Sequence, residues 1–390
     1  MDDRFTHFKT FPIANIAHRT EGKITDEQVE SEIVYKSVSP IKVVHRQKPL
    51  FMEGSIGVDK AINFYSAFPE MLEVGCYRLR PGLVFGKGLI GTINGIIFTS
   101  PDLIIFEENL VGKLWRSPFQ KTEDGGYLRP ETREMLTISE PSVLLMKGAD
   151  HIYGHWIVDI LPRIAVLRRC GFYNIKYIIS KNTPTFGKEL LRLAGIPQES
   201  LIKVDDENQD IYCQDLIVPS VCRYRSVMSA IALDIYDAMV KTALIESSEK
   251  IYSQENPRIY LSRKKWGNVS RRMVNSYEVE ECATRNGFEI IYPEELTLVE
   301  QIQLFQQVRC VIGEGGSALH NTVFGQSDIR VCVLQGNNNG NFIQSAIGDL
   351  RNQKTGYLFG DSFYRPRNGI TGDFLIPIPQ LNHILNKYIC

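Results

Sequence analysis

The chain has 390 residues, of which 43% are hydrophobic and 10% aromatic, and 44 Lys and Arg stand against 45 Asp and Glu for a formal charge of −1. That length predicts two or three domains with cores of their own, and the composition excludes a disordered, collagenous or small disulfide-stapled protein. A charge balance this even gives no electrostatic footprint for duplex nucleic acid or an anionic membrane.

Residues 1 to about 70 carry weak signals. From Cys76 to Leu145 the texture is β: Gly82 to Gly86, Gly95 to Thr99 and Leu103 to Phe106 are short β-branched or aromatic runs between turns. Pro141 to Met146 reads as a further strand. The pattern then becomes βαβ. Helices are predicted over 155–170, 186–194 and 230–246, with strands over 175–179 and 216–219. Ser247 to Pro257 is polar and proline-terminated and reads as a linker, separating residues 1–250 from 251–390. The second half repeats the alternation: strands over 258–262, 288–292, 310–312 and 329–334, and helices over 276–286, 298–307 and 318–324. Such alternation implies parallel sheets covered on both faces.

Eight cysteines are scattered without a C-x-x-C pair or a histidine at zinc spacing, as expected of reduced, buried thiols. No signal peptide is evident, and no stretch approaches the ~20 consecutive apolar residues of a membrane span. A cytoplasmic protein is expected, able to visit the inner face of the membrane without crossing it.

Three stretches carry chemistry. Val311 to Asn321 runs from a strand through Gly313, Gly315 and Gly316 into a predicted helix. Glycines let backbone come close to a ligand, and a helix start presents N–H groups suited to a phosphate. A merely tight turn explains the glycines equally well. Gly313, Gly315 and Ala318 fit a dinucleotide fingerprint, but the next strand ends Leu334-Gln335, without an acid for a ribose. The nucleophile-elbow and Walker patterns fail outright.

Ser262-Arg263-Lys264-Lys265 comes after a strand at its carboxyl end, with Arg271-Arg272 soon after. It is either a solvated basic loop or a cationic grip on phosphate oxygens. In Tyr153 to Arg163, His155, Asp159 and Arg163 fall at i, i+4 and i+8, on one face if the helix is continuous, although Pro162 interrupts it. An imidazole beside a carboxylate serves either as a structural hydrogen bond or as a proton acceptor for a hydroxyl.

The stretch Tyr153-Gly-His-Trp-Ile-Val-Asp-Ile-Leu-Pro-Arg163 resembles a recurrent element of glycosyltransferase family 61. The resemblance continues in order through Arg258 to Arg263, Arg272 to Asn275, Gly287 to Glu289, Leu298 to Phe305 and Gly313 to Phe324, covering about 75–335. One departure stands out: many members carry His where this chain has Gly315, with His320 as a candidate substitute. The resemblance implies a GT-B-like α/β fold, two Rossmann-like domains facing a cleft with a β-rich N-terminal portion, the C-terminal domain holding the donor and the C-terminal tail crossing back to the first domain. It implies an inverting, metal-independent glycosyltransferase using a nucleoside-diphosphate sugar, most readily a UDP-sugar, with no separate cofactor. The partner would be an oligosaccharide or polysaccharide acceptor, lipid-linked ones included, in surface polysaccharide synthesis.

On this reading Asp159 is the first choice of base and His155 the second. Arg263 and Lys264 neutralise the leaving diphosphate, Gly315, Gly316, Ser317 and Ala318 cradle it, and His320, Asn321 and Arg163 complete the binding residues. Asp205-Asp206-Glu207 is expected to be solvated surface and not a metal motif. The alternatives are a non-catalytic module binding a nucleotide sugar or glycan, and, on the glycine fingerprint alone, a nicotinamide oxidoreductase.

Overall fold

The computed structural model describes residues 7–15, 17–20, 33–54, 57–67, 69–92, 95–111, 113–129, 133–246, 257–265, 272–363 and 372–389. The expected linker up to residue 256, and Arg271, lie outside them. The chain divides into two compact units: Met1–Lys42 with Met71–Tyr224 and Ser229–Ile235, and Val43–Glu70 with Arg225–Met228 and Tyr236–Cys390.

The first unit holds two sheets. In one, Leu201–Val204, Lys176–Ser180, Ser142–Leu144 and Leu216–Pro219 lie side by side and parallel. Val74–Leu79 adds antiparallel to Leu216–Pro219, and Ile33–Ser39 and His18–Thr20 come next. The other sheet has eight strands, from Gln120–Lys121 at one edge to Glu134–Ile138 at the other. Leu83, Phe85, Ile97 and Ile211 of the second sheet share one core with Tyr77, Leu79, Leu144, Ile178 and Val218 of the first. The β-rich texture before residue 145 is divided between the two sheets, with Gly82–Phe85 and Ile96–Thr99 in the second. Leu103 to Phe106 departs from expectation: Pro101–Leu103 is a 3-10 turn, and Ile104 takes a left-handed φ of 55°. Asp206 departs as well, being fully buried and accepting a hydrogen bond from the Ser180 hydroxyl.

In the parallel part, the strands taken in chain order lie 3-2-1-4, so the order reverses between Ser142–Leu144 and Leu216–Pro219. Open α/β sheets bind ligands at such a reversal, beyond the carboxyl ends of the strands.

The second unit is one parallel sheet in the order Glu289–Ile291, Arg258–Leu261, Cys310–Glu314, Arg330–Gly336, Lys354–Phe363. Counted in chain order this is 2-1-3-4-5, with its reversal between Arg258–Leu261 and Cys310–Glu314. Leu298–Gln307 packs as a helix begun by a capping box, in which Thr297 and Glu300 satisfy each other's backbone N–H groups. Two findings correct the sequence reading. The described part of the tail belongs to the second unit: Asp373–Leu375 pairs with Lys354–Phe363, and Leu381, Ile384, Leu385 and Ile389 fill that unit's core. An early segment joins that sheet instead, with Met52–Gly54 parallel to Lys354–Phe363. No helix of the described residues is long and apolar enough to cross a membrane.

Candidate active site

In the first unit, the chain leaves the strand Ser142–Leu144 and enters a helix of three pieces: α over Tyr153–His155, π over Trp156–Ile160, and α over Leu161–Arg169. Pro162 explains the π piece. It has no N–H to give Val158, and its ring crowds that carbonyl, so the helix widens by one residue just before it. The extra residue rotates every later side chain by about 100° around the axis, which takes Arg163 off the face shared by His155 and Asp159. Arg163 is buried and donates its Nε–H to the Pro219 carbonyl at 3.0 Å. It supports the sheet and offers nothing to a ligand, contrary to the sequence expectation.

His155 and Asp159 do meet, with Nδ1 and Oδ2 2.6 Å apart. Asp159 is fully buried and closely held: Arg223 donates to Oδ1 at 2.8 Å and to Oδ2 at 3.1 Å, and the Lys147 ammonium lies 3.3 Å from Oδ2. Burial alone would raise the Asp159 pKa; Lys147 and Arg223, with the His155 hydrogen bond, hold it well below the usual carboxylate range. Burial pushes Lys147 down to about 8 against the pull of Asp159, so it is charged at neutral pH. A carboxylate held this way is a poor proton acceptor and has no free face for a substrate, which argues against Asp159 as the base.

The imidazole differs. Its side chain is 36% exposed. With Nδ1 committed to the carboxylate, the neutral ring carries its proton on Nδ1 and leaves Nε2 as an acceptor. Nε2 has no hydrogen-bond partner among the described residues. Lys147 and Arg223 were missed in the sequence. Both lie just past the carboxyl ends of the two strands flanking the reversal, a signal that required knowing which strands are neighbours.

In the second unit, the pairing of Leu261 with Gly313 sets Arg263 beside the glycine turn. The Arg263 Nη1 lies 3.8 Å from Glu314 Oε2, with 23% of the side chain exposed. Lys264 turns away: its ammonium is 3.0 Å from Glu280 Oε2 and lies over the Tyr277 ring. Lys265 pairs with Glu295 at 2.6 Å. Of Arg263, Lys264 and Lys265, only Arg263 stands at the turn, and Lys264 is engaged elsewhere.

The turn is tightly packed. A Cβ on Gly313 would sit 3.0 Å from Leu319 Cδ2, and one on Gly315 would sit 3.0 Å from Gln335 Oε1. The Gly315 N–H goes to the Leu334 carbonyl at 2.8 Å. The N–H groups of Gly316, Ser317 and Ala318 enter no hydrogen bond among the described residues. The chain then forms a six-residue 3-10 helix, Leu319–Phe324, in place of the expected α-helix. A segment this short brings little dipole, so any anion binding rests on the three N–H groups and Arg263. His320 and Asn321 are buried. Asn321 donates to Gln301 Oε1 at 2.7 Å and ties the turn to the helix Leu298–Gln307. His320 is 6% exposed and Asn321 1%, against 23% for the Arg263 side chain.

Each unit thus carries a polar group at the reversal of its own sheet: a carboxylate-held imidazole in the first, and free backbone N–H groups with a guanidinium in the second. Among the described residues no three His, Cys, Asp or Glu side chains cluster so as to hold a metal ion. The seven described cysteines are buried free thiols.

No curated protein matches the chain. The family described as Glycosyltransferase 61 matches residues 153–332, a stretch that begins at the His155 helix and ends past the glycine turn. Over that span the chain is similar to glycosyltransferase family 61.

Proposed function

We propose that this protein is an inverting glycosyltransferase that moves a sugar from a nucleoside-diphosphate donor, a UDP-sugar by preference, to a glycan hydroxyl, on a GT-B-type plan and without a catalytic metal. The observation that carries the reading is the His155–Asp159 pair, whose free Nε2 sits at a sheet reversal inside the family-matched segment.

His155 Nε2 takes the proton of the acceptor hydroxyl. The oxygen attacks the anomeric carbon from the face opposite the diphosphate, and the C–O bond to the diphosphate breaks with its electron pair going to phosphate. Asp159 fixes the tautomer beforehand and steadies the imidazolium afterwards, and Lys147 and Arg223 keep Asp159 ionised. Arg263 and the N–H groups of Gly316, Ser317 and Ala318 meet the charge that develops on the departing diphosphate, which is where electrostatic help counts most.

Surface polysaccharide synthesis on the cytoplasmic side is the setting this reading favours. The test is transfer from a panel of UDP-, GDP-, CDP- and ADP-sugars to oligosaccharide acceptors, with the anomeric configuration of the product read by NMR. A product of inverted configuration supports the proposal; a retained one overturns the mechanism. A non-catalytic module remains the second reading, favoured by Gly315 standing where many members have His. Such a module binds UDP and never hydrolyses or transfers the donor.

A further inference from the structure

The first unit contains a cavity of about 170 Å³ that the proposed chemistry does not use. Its polar wall is Glu73, Ser100 and Asp102, with Tyr35 and Tyr77 beneath. Ala14, Leu72 and Pro101 supply apolar walls. Tyr35 and Tyr77 are cross-strand partners whose ring centroids lie 4.5 Å apart.

Charge limits what can enter. Asp102 interacts with the Ser100 and Tyr77 hydroxyls, and among the described residues no Lys, Arg or His lies within 4 Å of it. Glu73 adds a second carboxylate. No Lys, Arg or His stands among the lining residues to hold a phosphate or carboxylate group, so this is not a second donor site. The wall is rich in acceptors, because Ser100 already turns its proton toward Asp102. A ligand must bring donors to the carboxylate and C–H surface to the apolar side, as a neutral sugar ring does. A fixed ammonium fits less well, since burial pushes the Asp102 carboxyl up, toward its neutral form.

Position points the same way. The Val221 N–H donates to the Asp102 carbonyl at 2.8 Å, and two residues further on Arg223 grips Asp159. The strands bearing Tyr77 and Tyr35 lie two and three places from Ser142–Leu144 in the sheet. At ~4.8 Å per strand that is about 10–15 Å along the sheet, with the two tyrosines on the face opposite the helix that ends at Cys170.

We infer that this cavity binds one neutral sugar unit of the acceptor glycan, at a distance from the residue being modified at His155. The link to the acceptor rests on the transferase reading; the binding of a sugar does not.

The first test is calorimetry on the full chain without nucleotide, using glucose, galactose, xylose, N-acetylglucosamine and their short β-linked oligomers. At least one should bind, and His155→Ala should keep that binding. Asp102→Leu, which removes the carboxyl from the polar wall, should weaken it about tenfold or more. So should Ala14→Trp, a rim change at an exposed position that fills the cavity even if the first variant folds poorly. The second test is transfer: both variants should raise the acceptor KM far more than they lower kcat. No binding by any sugar of the panel, binding of ammonium compounds only, or unchanged affinity in the folded Ala14→Trp variant would overturn the inference. Sugar binding lost in these variants, in a protein that transfers nothing, would leave it standing while removing the transferase reading.

Discussion

Asp159→Asn separates orientation from fold. The substitution is nearly isosteric but removes the charge that Lys147, Arg223 and His155 share. Lys147 and Arg223 have side chains only 6% and 12% exposed, so both lose a buried counter-charge. Breaking a buried pair in this way costs ~3–5 kcal/mol. The new amide also presents N–H to Nδ1, which favours the tautomer protonated at Nε2 and unable to accept a proton. General-base catalysis contributes on the order of 10²–10⁴ in rate, so kcat should fall within that range while affinity for the nucleotide is kept. Adding Lys147→Met removes one stranded charge and should recover part of the stability by urea unfolding, but none of the turnover, because the imidazole is still misdirected. A folded Asp159→Asn protein turning over at the wild-type rate would refute the whole arrangement.

The two cations of the basic loop should differ. Arg263→Ala should lower kcat by about 10²–10³ with little change in melting temperature, as the loss of one donor to a developing anion does; near-normal transfer would remove it from the mechanism. Lys264→Ala should change kcat less than about threefold, since its exposed ammonium is engaged with Glu280, and a loss as large as that of Arg263→Ala would show that the ion pair opens for the donor. In the second unit, burial pushes the Asp349 carboxyl up to about 6, against the Gln47 N–H and Arg46. Its folded pKa lies above the ~3.9 of an unfolded chain, so its contribution is fully present below pH 4 and is lost as pH rises through 6. Asp349→Asn should therefore gain stability relative to wild type across pH 4 to 7, measured by denaturant unfolding; equal pH dependence in the two proteins would contradict this.

The alternation of strands and helices was legible because local pattern carries it. Leu298–Gln307 was read at its full length, since its apolar period and its start agree. What failed was non-local. Met52–Gly54 completes a sheet whose partner strand lies about 300 residues away, and three residues of strand give no hint of that. Lys147 and Arg223 converge on Asp159 only because Ser142–Leu144 and Leu216–Pro219 are neighbours. Spacing shows that His155 and Asp159 can meet, not which of them is buried. Arg163 was misplaced for a readable reason: Pro162 was visible, and the π turn it induces shifts Arg163 to another face of the helix.

The most direct measurement is turnover of His155→Ala, with and without added imidazole, once a donor and acceptor are in hand. His155 as the proton acceptor predicts a loss on the order of 10²–10⁴, partly restored by imidazole in its neutral form. Transfer by that variant at the wild-type rate would contradict it.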